Sequence, residues 1–125
     1  MPTLDFQANA NFCVPAALAA LTTGKFNDAQ ALLNKHFGEK DYNRGLFYPI
    51  ILKVLREEGF GVERMTGGFR PLGTFLLCFP GHVAVVENGT FIDNQHPQGV
   101  RLNKLSQLKK VESVYRVTRP EERNL

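Results

Sequence analysis

Three residue types that together perform acyl transfer stand far apart along this chain. Cys13 heads the run "CVPAALAAL", His82 opens "HVAVVE", and Asp93 closes "TFID". A thiolate is the reactive form of cysteine, and a helix N-terminus with an imidazolium nearby favours it. A carboxylate beside a histidine sets the imidazole tautomer and supports its protonated form. Gln7 lies six residues before Cys13. Its side-chain amide and the Cys13 backbone N–H would make two donors for a tetrahedral oxyanion. Loss of one such donor costs enzymes that use it on the order of 10²–10³ in rate.

Each of these residues has a plainer reading when taken alone. Cysteine is most often a small buried hydrophobe. A histidine at a strand start, an aspartate at a strand end and an upstream glutamine are common structural residues. It is their order and spacing that supports the chemical reading, since nucleophile, base and orienting group usually come from distant segments. Cys78, inside the apolar run "TFLLCF", is expected to be structural. His36 is expected to complement a helix dipole, and His96 to sit in the turn "NQHPQG".

The elements that must position these residues follow from periodicity. Residues 14–23 are apolar on nearly all sides, as in a helix surrounded by core. Pro15 is tolerated only in a first turn, so the helix starts at Cys13 or Val14 and Gly24 ends it. "FNDAQALLNKHFG" forms a second helix with Asn27 or Asp28 as cap, and "LFYPIILKVLREEGF" a third, stopped by Gly59. The period then changes to that of strands in "FGVERM", "GTFLLCF", "HVAVVENGTFIDN" and "VESVYRVTR". "LNKLSQLKK" is expected to be a short helix between strands. Helices first and antiparallel strands second make an α+β domain over residues 1–119, with residues 120–125 as a flexible tail.

Asn88-Gly89 is a strong two-residue hairpin signal. It sets Glu87 opposite Thr90 and Val85 opposite Ile92, so that His82, Ala84 and Val86 share a face with Phe91 and Asp93. His82 and Asp93 become diagonal neighbours. A slip of one residue would bring Asn94 to that face, which keeps Asn94 as the reserve choice.

The composition suits one globular domain: 125 residues, 43% hydrophobic and 22% charged. Fifteen basic and twelve acidic residues give a net charge of +3. The basic side chains Lys104, Lys109, Lys110, Arg116 and Arg119 read as solvated surface, and neither nucleic acid nor membrane is expected as a partner. The N-terminus lacks the features of a signal peptide and no run reaches bilayer length, so a cytoplasmic setting is expected. With only two cysteines, no C-x-x-C and no H-x-x-x-H, no metal site and no cofactor is expected.

Residues Gln7–Leu18, "QANANFCVPAAL", followed by "GHVAVV" and "FIDNQHPQG", resemble the papain-like cysteine peptidases. The likeness is greatest to the small branch that includes bacteriocin-leader peptidase domains. It spans nearly the whole chain. It implies a central helix and further helices packed on a C-terminal antiparallel sheet, and it assigns Cys13 as nucleophile, His82 as base and acid, Asp93 as orienter and Gln7 as oxyanion donor. The implied activity is hydrolysis of a peptide or isopeptide bond in a peptide or protein substrate. Amide exchange on the same residues, or a peptide-binding module without catalysis, are the alternatives. Val14 follows the cysteine where many relatives have glycine, and Asn-Gln-His stands between Asp93 and Pro97 where many have Asp-Pro.

Overall fold

The first helix, α1 (Cys13–Leu21), carries Pro15 in its opening turn and is buried from Val14 to Leu21, with Ala16, Leu18, Ala19 and Leu21 fully inaccessible. In this computed structural model residues 13–38, 48–66, 72–80, 82–93, 95–101 and 111–123 are described. Gly24, at φ 80°, turns the chain out of α1 and donates its N–H to the Ala19 carbonyl at 2.7 Å.

Helix α2 (Phe26–Phe37) starts two to three residues earlier than expected, with Lys25 rather than Asn27 or Asp28 at its cap position. No side-chain hydrogen bond is made from the cap position itself, and the side chain beside it is that of Thr23. Its Oγ1 accepts the Lys25 N–H at 3.2 Å and donates to the Asp28 carboxylate at 2.8 Å. Asp28 thereby sits in the first turn, where the helix dipole favours a negative charge. Helix α3 (Tyr48–Glu57) has Pro49 in its first turn and buries Ile51, Leu52, Val54 and Leu55. His36, expected to answer only a helix dipole, is held between Glu57 and Glu58 at the end of α3, where Glu58 also meets Lys35 at 2.9 Å.

Six strands follow: β1 (Gly61–Arg64), β2 (Thr74–Phe79), β3 (His82–Glu87), β4 (Thr90–Asp93), β5 (His96–Arg101) and β6 (Ser113–Thr118). They form one sheet of order β1-β6-β2-β3-β4-β5, with each neighbouring pair antiparallel. The fold is α+β, as the change of period implies. Strand β5 forms where a turn is expected from "NQHPQG". Pro97 and Gly99 weaken a strand signal, yet both are compatible with a strand that pairs with β4 on one side. Within the residues expected as a tail, Pro120–Arg123 forms a helical turn, α4, and Pro120 packs near Gly59. The segment "LNKLSQLKK" lies outside the described residues.

Both faces of the sheet are apolar. One presents Leu76, Cys78, Val83, Val85, Ile92, Tyr115 and Val117 to the core that contains α1, α2 and α3. The other carries Phe75, Leu77, Ala84, Val86, Phe91 and Val114, with Phe79 and Val100 at its margin. Burial on both sides explains why "TFLLCF" and "HVAVV" read as continuous apolar runs instead of alternating ones. Among the described residues no helix is long and apolar enough to cross a membrane.

Candidate active site

The turn between β3 and β4 is of the type the sequence demands. Asn88 and Gly89 take φ 49° and 84°, and the register pairs Glu87 with Thr90 and Val85 with Ile92. Strand alternation then places His82 and Asp93 on one face at the end of the hairpin away from the turn. His82 Nε2 lies 2.9 Å from Asp93 Oδ2. Asp93 is 3% exposed, whereas the His82 side chain retains 29% of its surface. A buried carboxylate is therefore joined to an imidazole that solvent can reach.

A second imidazole meets the same carboxylate. His96 Nδ1 lies 2.8 Å from Asp93 Oδ1, and that oxygen also accepts the backbone N–H groups of Gln95 at 3.0 Å and His96 at 2.7 Å. A register shift between Phe91 and Asp93 accompanies the arrangement and lets His96 stand opposite Asp93. Burial pushes the Asp93 carboxyl up, but hydrogen bonds and positive charge from His82 and His96 outweigh it and hold the group below the usual aspartate value. Asp93 is thus an acceptor, and both imidazoles donate to it. The role of His96 was not legible as a strand residue. The available signal was the spacing Asp-x-x-His, because an aspartate that bonds backbone N–H groups two and three residues on forms a local turn.

Around this trio, Phe79 lies 5.8 Å from the His82 ring and Phe91 lies 5.9 Å from the His96 ring, centroid to centroid. His82, Ala84, Val86 and Phe91 belong to the second sheet face. Helix α1 packs on β3 and β4 from the first face, where Val83, Val85 and Ile92 point. Helix α1 and the His82–Asp93 pair therefore lie on opposite faces of the sheet.

Cys13 is the first residue of α1. Gln7 and Asn94 lie outside the described residues. Cys78 is buried in β2 and free of any disulfide, and burial pushes its thiol up to about 11, which matches a structural cysteine. Among the described residues no group of three or more His, Cys, Asp or Glu side chains is arranged to hold a metal ion. Arg119, from the basic cluster, is committed to Glu87 at 2.7 Å. Comparison with protein-family models, with curated proteins and with solved structures gives no match.

Proposed function

We propose that the chain is a papain-like cysteine hydrolase that cleaves peptide or isopeptide bonds through Cys13, His82 and Asp93. The observation that carries this reading is the bond from His82 Nε2 to a buried, ionised Asp93, on strands that pack against the helix opened by Cys13. With Nε2 committed to Asp93, proton exchange with the thiol falls to Nδ1. The Cys13 thiolate attacks the carbonyl carbon, and the oxyanion is held by the Cys13 backbone N–H and the Gln7 amide. His82 gives its proton to the leaving amine, and an acyl-enzyme forms. Water, deprotonated by His82, then attacks the thioester and releases the acid. Asp93 stays ionised throughout and stabilises each imidazolium. The order of elements, with helices before an antiparallel sheet, supports the same architecture.

Iodoacetamide alkylation across pH tests the proposal, with Cys78 as an internal buried control. Cys13 is expected to react selectively, with an apparent thiol midpoint well below the free value of about 8.5, and to lose that advantage in His82→Ala. A Cys13 no more reactive than a free thiol, or indifferent to His82→Ala, would overturn it. With an acylated enzyme in hand, transfer to an added amine in excess of hydrolysis would redirect the reading to amide exchange.

A further inference from the structure

The local turn after Asp93 needs only backbone donors. Gln95 N–H and His96 N–H already satisfy Oδ1, at 3.0 and 2.7 Å. The His96 ring adds a third donor to that oxygen at 2.8 Å, while Oδ2 is given to His82 at 2.9 Å. The two rings are exposed to a similar degree, 33% for His96 and 29% for His82, so both can exchange protons with solvent. One carboxylate balances one positive charge. Donors on Oδ1 withdraw charge from the oxygen that faces His82, and a proton on one ring opposes a proton on the other.

We infer that His96 is a positioning residue of this site: it shares Asp93 with His82 and sets how strongly that carboxylate holds the His82 imidazolium. The inference deepens the hydrolase reading and gives the site a regulator of its base. Glu112, whose backbone N–H meets the Cys78 carbonyl at 2.8 Å, is a charged residue at the same end of the sheet. Strand β2 faces the trio with Phe79, β3 with Ala84, β4 with Phe91 and β5 with Val100. Glu87 is at the far end of β3 and bound to Arg119. Arg101 is at the far end of β5, opposite Thr90. Cys78 points to the other face, and Cys13 comes from α1.

The test is an NMR titration of the imidazole rings in the full chain across the neutral range. His96→Phe keeps an aromatic ring against Phe91 but removes the donor, and both backbone N–H groups remain to hold Asp93. The His82 midpoint is expected to rise by about 0.5–1 pH unit, as Asp93 is left with more charge for His82. His96→Asn offers an amide N–H in the place of Nδ1 and is expected to restore most of the original midpoint. His96→Leu repeats the donor loss without a ring. An unchanged or lowered His82 midpoint in both His96→Phe and His96→Leu overturns the inference, as does a His96→Asn variant that behaves like them. The series is run again in Cys13→Ala. A His96 effect that persists there, beside a Cys13 that fails the alkylation test, leaves this inference standing while the hydrolase reading falls.

Discussion

The β3–β4 hairpin carries a buried carboxylate at each end, and the two are partnered differently. Near the turn, Glu87 is 7% exposed; at the open end, Asp93 is 3% exposed, so burial does not distinguish them. Their cations do. Glu87 Oε1 accepts Arg119 at 2.7 Å and Thr74 Oγ1 at 3.1 Å, and its Oε2 is buried without a partner among the described residues. A guanidinium keeps its charge at any working pH, so this pair is a permanent clasp between β3 and the end of β6. Asp93 is fully engaged, and both of its side-chain partners are imidazoles, the groups that gain and lose protons near neutrality. One end of the hairpin holds a cation of fixed charge, and the other holds imidazoles, whose charge depends on pH.

Breaking the clasp should have the largest effect on stability. Arg119→Leu leaves a buried carboxylate without its cation and is expected to cost about 3 kcal/mol in urea unfolding. It should leave the His82 titration unaltered, because the two ends belong to separate networks. At the open end, Asp93→Asn removes charge-assisted hydrogen bonds and is expected to cost about 1–2 kcal/mol at neutral pH. Its signature is in the pH dependence. The Asp93 carboxyl is held below its unfolded value, so its contribution is complete above about pH 4 and is lost as pH falls through the folded value. Urea midpoints measured down through this acid range should fall less steeply in Asp93→Asn than in the parent chain. An equal slope would mean that Asp93 is not held ionised by its imidazoles. The smallest change is Thr74→Val, which removes one hydroxyl donor from Glu87 and leaves Arg119 in place. About 0.5–1 kcal/mol is expected in the same unfolding measurement. A loss as large as that of Arg119→Leu would show that the hydroxyl, and not the guanidinium, keeps Glu87 buried.

The comparison also marks where sequence reasoning reaches. The His82–Asp93 contact was legible because each step toward it is local: a two-residue turn with positive φ at Asn88 and Gly89, then a period of two along each strand. The start of α1 was legible for the same reason, since Pro15 tolerates few positions in a helix. The partnership of Glu87 with Arg119 joins residues 32 apart, and no periodicity links them. The start of α2 at Phe26, with Lys25 at the cap position, was hidden by the better cap residues Asn27 and Asp28 just downstream.

By itself, the sequence determined the succession of elements, the α+β class and the face shared by His82 and Asp93, because hydrogen-bond geometry over a few residues dictates them. Tertiary structure decided the rest of the site. The irregular pairing after Phe91 turned a proline- and glycine-containing stretch into β5 and brought His96 onto Asp93. Packing of α1 on the first face of β3 and β4 set that helix opposite the face that carries His82 and Asp93. Both outcomes depend on which strand pairs with which and on which face is covered, and those are properties of the assembled sheet.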